Sequence, residues 1–115
     1  MSFTIEFYEK ENKEVPFDNF LSVLPNDLIA KVFRDLELLE TFGNKLREPY
    51  SAPIGDGIFE LRTKQGSNIA RSLYFFMVGE RLIVTHGFQK KQQKTPLNEI
   101  EKAKKYRADW LRRNK

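Results

Sequence analysis

The chain has 115 residues, 40% of them hydrophobic, with ten phenylalanines, four tyrosines and one tryptophan, which suits one domain spanning residues 1–115 around one core. It has no cysteine, which excludes disulfides, thiolate nucleophiles and thiolate metal sites; no apolar run nears the roughly 20 residues of a bilayer span, and residues 1–4 open no signal peptide, so a cytoplasmic location is expected. The net charge of +4 divides unevenly, with six Lys/Arg against eleven Asp/Glu in residues 1–59 and fourteen against five in residues 60–115, which implies either a polyanion-facing surface or lysine-rich solvated helix faces.

Residues 2–8 alternate, with Phe3, Ile5 and Phe7 on one side and Thr4, Glu6 and Tyr8 on the other, the period of a half-buried strand. After a charged turn at 9–14, Pro16 suits the first turn of a short helix carrying Phe17, Phe20, Leu21 and Leu24. Pro25 and Asn26 start a second helix, whose Leu28, Ile29, Val32, Phe33, Leu36, Leu39 and Phe42 recur at helical spacing until Gly43-Asn44 stops it. A connection over 45–53 contains two prolines and room for a brief extended piece.

Strands are predicted over 57–64, 69–78 and 81–88, joined by short turns containing Gly66 and Gly79, and so form an antiparallel meander. The segment from His86 to Pro96 then carries Lys90, Lys91 and Lys94. Thr95 is a candidate N-cap, with Pro96 at the first helical position, for a last helix with a narrow apolar side (Ile100, Ala103, Ala108, Trp110, Leu111) and a basic remainder. The order is that of a small α+β domain, an antiparallel sheet with two N-terminal helices packed on one face and a C-terminal basic helix.

The candidate chemistry is cationic. The chain has one histidine, so no histidine pair can bind a metal or share acid and base duties. No glycine-rich phosphate loop is present, and Asp56, Glu60 and Glu80 are scattered over different segments, so neither metal nor cofactor is expected. Alternation on the first meander strand puts Ile58, Glu60, Arg62 and Lys64 opposite Phe59, Leu61 and Thr63. On the next strand Arg71 shares a side with Ile69, Leu73, Phe75 and Met77, and both sides are apolar, so this strand is central. Arg71 is then either a salt-bridge partner of Glu60 across the hairpin or a rigid guanidinium fork for a phosphate.

Arg62, Arg71 and the lysines at 90, 91 and 94 point towards one end of the sheet. Such a cluster suits an RNA backbone and the extra negative charge of a pentacoordinate phosphorane, reached when a 2′-OH attacks the adjacent phosphorus. His86 is either a packed structural histidine, lying under simple alternation with Leu82, Val84 and Phe88, or an acid/base group beside the lysines. Tyr74 suits base stacking or a buried, hydrogen-bonded role equally. Lys102 and Lys105 on the basic helix either face solvent or track RNA phosphates.

Three segments together carry a resemblance: Gly55-Asp56-Gly57-Ile58-Phe59-Glu60-Leu61-Arg62, then Asn68-Ile69-Ala70-Arg71-Ser72-Leu73-Tyr74-Phe75-Phe76, then His86-Gly87-Phe88-Gln89-Lys90-Lys91-Gln92-Gln93-Lys94-Thr95-Pro96. They resemble the RelE/HigB superfamily of type II toxin–antitoxin toxins, in its phage-derived HigB-like branch. The resemblance implies a RelE-like fold and a ribosome-dependent mRNA endonuclease acting by metal-independent 2′-OH attack. It also implies two partners: the ribosome with its mRNA, and a cognate helix-turn-helix (HigA-like) antitoxin that forms a hetero-oligomer with the toxin. Carried over by position, the catalytic candidates are Arg62, Arg71, Lys90, Lys91 and Lys94, with Lys64, Tyr74, His86, Lys102 and Lys105 as RNA contacts. Some relatives place an active-site tyrosine near the C-terminus, and Tyr106 sits too deep in the basic helix to match it. The alternative function is a non-catalytic basic RNA-binding or regulatory protein of phage origin, and a third is a structural phage or protein-interaction domain.

Overall fold

The computed structural model describes residues 2–89 and 94–114. The elements in chain order are β1 (Thr4–Phe7), α1 (Pro16–Leu21), α2 (Asn26–Phe42), β2 (Ser51–Gly55), β3 (Ile58–Gln65), β4 (Asn68–Met77), β5 (Arg81–Gln89) and α3 (Leu97–Arg113). The expected three-stranded meander is present as β3-β4-β5, and β2, the brief extended piece of the preceding connection, adds a fourth antiparallel strand. At its far edge β1 joins β5 in parallel, Thr4 opposite Arg81 and Phe7 opposite Val84, so the five-stranded sheet is mixed, in the order β1-β5-β4-β3-β2. The pairing sense follows from connectivity. A strand that departs through two helices and the whole meander can meet β5 in either sense, whereas tight turns force antiparallel neighbours.

The sheet lies between two helical layers. On one face α1 and α2 deliver Phe17, Phe20, Leu24, Leu28, Val32, Leu36 and Leu39 against Leu61, Ala70, Tyr74, Leu82 and Val84. The apolar stripe of α2 is therefore the core stripe its spacing predicted, with Phe33 and Phe42 left about half-exposed at its margins. Gly43 ends α2 with φ +52°, and its missing side chain makes room for the Phe3 ring, which would lie 2.1 Å from a Cβ there. A left-handed stop and close packing thus coincide at one glycine.

The other face is covered by α3, which seats Ala103 and Trp110 against Ile58, Leu73, Phe75, Ile83 and Phe88. Of the apolar side predicted for this helix, Ala108 and Leu111 face outwards. Polar ties make up the difference: Lys104 Nζ lies 2.9 Å from Asp56 Oδ2, Arg107 donates to the Asp56 carbonyl at 2.5 Å, and Tyr8 donates its hydroxyl to Asp109 at 2.6 Å. Burial and that hydrogen bond push the Tyr8 phenol up to about 12, so it remains a donor across the ordinary pH range.

One irregularity re-aims the end of β5. Leu73 pairs with His86 but Tyr74 pairs with Val84, so Thr85 is an extra residue in β5, a bulge that shifts alternation by one position. Leu82 and Val84 face α1 and α2. His86 and Phe88 face α3 instead, correcting the simple alternation that grouped all four residues. Gly87 then faces α1, where a Cβ would stand 2.4 Å from the Phe20 ring. Among the described residues no helix is long and apolar enough to cross a membrane.

Candidate functional site

Register decides which cations meet. Arg62 stands opposite Arg71 on neighbouring strands and Glu60 opposite Leu73, so Glu60, Arg62 and Arg71 all emerge on the α3 face, two arginines beside one carboxylate. Glu60 is 1% exposed and ringed by donors. Arg62 Nε donates to its Oε2 at 2.5 Å, and the Thr95 hydroxyl donates to its Oε1. Arg71 Nη1 lies 3.6 Å from the same Oε1 and donates to Thr95 Oγ1 at 3.2 Å. Arg62 Nη1 also reaches Glu48 at 3.4 Å.

Thr95 was expected to cap α3, but the helix begins at Leu97 with no side-chain cap. The hydroxyl is spent on Glu60 and Arg71 instead, and so ties the approach to α3 to the middle of β3. As an N-cap the hydroxyl oxygen would accept from a backbone N–H; here that oxygen accepts from Arg71 while its proton goes to the Glu60 carboxylate, a charge-assisted bond.

Beside this cluster opens a cleft of about 280 Å³, lined by Ile54 of β2, Glu60 and Arg62 of β3, Lys94 and Thr95 of the approach to α3, and Ile100 of α3. Arg62, with a side chain 26% exposed, and the exposed Lys94 offer their charges to it. Arg71 is 2% exposed and communicates with the cleft through Glu60 and Thr95. Three cations (Arg62, Arg71, Lys94) against two carboxylates, the buried Glu60 and the exposed Glu48, leave a surplus of positive charge at the cleft. Apolar Ile54 and Ile100 flank the charged floor, so the cleft pairs an anion-binding centre with walls that suit a sugar or base edge.

The remaining candidates are dispersed. Lys64 is exposed towards the end of β3, and Lys105 is exposed on α3. Tyr74 lies on the opposite side of the sheet from Arg62, 1% exposed, stacked on Phe59 at 5.7 Å and hydrogen-bonded to Ser51. Burial holds its phenol at about 12. It is therefore a core residue with a satisfied tip, and its ring is not presented for base stacking. Lys90 and Lys91 lie outside the described residues.

His86 occupies the other flank of α3. Its Nε2 lies 3.0 Å from Glu99 Oε1, and its Nδ1 lies 3.2 Å from the Thr85 hydroxyl, which also reaches the Leu73 carbonyl at 3.2 Å. Burial lowers its pKa below the ordinary value of 6.5, more than Glu99 raises it. A neutral imidazole therefore donates from Nε2 to the carboxylate. Lys102 stands 3.6 Å from the same Glu99 oxygen, and both His86 and Lys102 line a second cleft, with Lys10 and Tyr106. His86 and Lys102 are thus paired with each other through Glu99, across α3 from Arg62 and Lys94.

Glu60 and Thr95 are the two residues of the cleft that carry more than their sequence roles suggested. The Glu-x-Arg alternation on β3 is the signal for the first. Nothing local distinguishes a capping threonine from one that reaches across to a strand. No curated protein sequence matches the chain. A family profile does match residues 19–108, more than three quarters of its length, and its description is phage-derived protein, Gp49-like (DUF891). With that match over α1 to α3, the chain belongs to the phage-derived Gp49-like family, in general terms a family of RelE/HigB-like toxins.

Proposed function

We propose that this protein is the toxin of a type II toxin–antitoxin pair, an endoribonuclease that cuts mRNA on the ribosome by metal-independent attack of a 2′-OH on the adjacent phosphorus. The observation that carries the proposal is the cleft lined by both Arg62 and Lys94, with Arg62 held on the Glu60 carboxylate that Thr95 and Arg71 also engage. Family membership supports it. In this reading Arg62 and Lys94, joined by Lys90 and Lys91, bind the scissile phosphate and stabilise the added negative charge as the 2′-oxygen bonds to phosphorus. One lysine among Lys90, Lys91 and Lys94, as the neutral amine, takes the 2′-OH proton while the others stay charged. The P–O5′ bond breaks, the departing 5′-oxygen takes a proton from a second lysine ammonium, and the products are a 2′,3′-cyclic phosphate and a 5′-hydroxyl. Glu60 has both oxygens engaged by donors, so it is a positioning residue for the two arginines. Arg71, buried beneath it, is a positioning residue too. Lys64, Lys102 and Lys105 contribute longer-range attraction to ribosomal and messenger RNA, and an HTH antitoxin of HigA-like type is the cognate inhibitor, with the cytoplasm as the site of action.

The test is inducible expression in a bacterial host of wild type, Arg62→Ala and Lys94→Ala, with mapping of mRNA 5′ ends. These are better variants than Arg71→Ala, which strips a buried carboxylate of a partner and risks the fold. The expected result is growth arrest with codon-phased cuts in wild type and loss of both, by about a hundredfold or more, in the folded variants. Arrest and cuts that persist in both variants remove the cleft from the mechanism. Salt-sensitive RNA binding without cuts in wild type replaces the nuclease with a non-catalytic RNA-binding protein.

A further inference from the structure

A second site lies away from the cationic cleft, on the outward flank of α2. Asp35 is 3% exposed, and its Oδ1 has no hydrogen-bond partner among the described residues. Buried carboxylate oxygens are ordinarily satisfied, because stripping one of water without supplying a donor is costly. The nearest cation is Arg34, whose Nε stands 3.8 Å from Oδ1 on a side chain that is mostly solvent-exposed. Consecutive helix residues point about 100° apart, and Arg34 meets Oδ1 only at that long distance, without a hydrogen bond. Asp35 lines a cavity of about 510 Å³ together with Arg34, Glu37, Leu38, Thr41 and Tyr50.

We propose that this cavity receives an arginine side chain from a protein partner. Chemistry selects the occupant. Asp35 and Glu37 outnumber the one cation in the lining, so a positive group is favoured. Tyr50 is about 40% exposed and offers a ring face on which a guanidinium stacks, while Leu38 offers an apolar bed for the side-chain stem. A planar fork satisfies a carboxylate and an aromatic face together, which a lysine ammonium does not. The surrounding half of the chain is the acidic one, with six Lys/Arg against eleven Asp/Glu over residues 1–59. The proposal does not depend on the nuclease reading.

The experiment is an NMR titration of the isotope-labelled protein with acetyl-Ala-Arg-Leu-amide, with the citrulline counterpart and spermidine as comparisons. The expected result is saturable shifts centred on residues 35, 38, 41 and 50 with the arginine peptide. Affinity is about tenfold lower with the citrulline peptide, and about tenfold lower again for arginine against Asp35→Asn protein. A second variant, Thr41→Lys, places an ammonium at the exposed rim and abolishes arginine binding without touching a buried group. Shifts of equal size with citrulline, or unchanged in both variants, overturn the proposal. Tighter binding of spermidine than of the peptide also overturns it, by making the cavity a polyamine site.

Discussion

Glu60 reaches from β3 to hold Thr95 just before α3, whereas Glu99 reaches from the first turn of α3 to hold His86 on β5. Both carboxylates are buried and both fasten the same end of the same helix, yet their surroundings differ in kind. Glu60 is matched by two guanidiniums that remain charged at any ordinary pH. Glu99 is matched by an imidazole kept neutral by burial, and by the half-exposed Lys102 at the rim. One flank of α3 therefore carries surplus positive charge in a cleft, and the other is close to electrical balance. Two acids at comparable depth are left beside surplus positive charge in one place and near balance in the other because of the charge of their partners, not the length of their hydrogen bonds.

The sharpest way to break this comparison is Glu60→Ala. Removing the carboxylate takes the Glu60 charge from beside the buried Arg71, and urea denaturation should report a loss of about 3 kcal/mol or more. A loss below about 1 kcal/mol would mean that Arg71 does not depend on Glu60. Glu99→Ala is expected to cost less, about 1–2 kcal/mol by the same measurement, because it orphans a neutral imidazole donor and no full charge.

The third effect is a pH dependence. The folded-state pKa of His86 lies below its unfolded value of 6.5, so the unfolded chain binds the proton more readily. Stability is accordingly complete above about pH 6.5 and declines as pH falls towards the folded value. His86→Gln keeps an amide donor for Glu99 but does not titrate. Between about pH 7.5 and pH 5.5 its unfolding free energy should fall less than that of wild type, and parallel curves would show that His86 titrates normally. Lys102→Ala is the mildest test, with an expected change of about 0.5 kcal/mol at most for a rim cation. A larger loss would make Lys102 a true partner of Glu99 and shrink the contrast between the flanks.

Much of the architecture is legible in the chain itself. The helical spacing of Leu28, Val32, Leu36 and Leu39 identifies the core stripe of α2, and glycine-marked turns identify the meander. Alternation also puts Glu60 and Arg62 on one side of β3 and marks β4 as central, which brings Arg71 within reach. Three features escape such reading. The parallel pairing of β1 depends on a partner some 75 residues away, and alternation is blind to strand direction. The bulge at Thr85 carries no glycine or proline to announce it, yet it turns His86 towards α3. Finally, α3 buries only Glu99, Ala103 and Trp110. Its docking rests on Asp56 and Asp109 meeting basic and phenolic partners, and such matches between distant residues leave no periodic trace.

The placement of β1 also bears on the order in which the protein assembles at the ribosome that makes it. The first strand leaves the exit tunnel early, but its strand partner among the described residues is β5, completed at Gln89. Until then β1 has no ladder to join, and the apolar sides of α1 and α2 have at most a partial sheet to cover. Closure of that edge is consequently a late event, spanning nearly the whole chain, and topologies that wait for distant pairings form slowly.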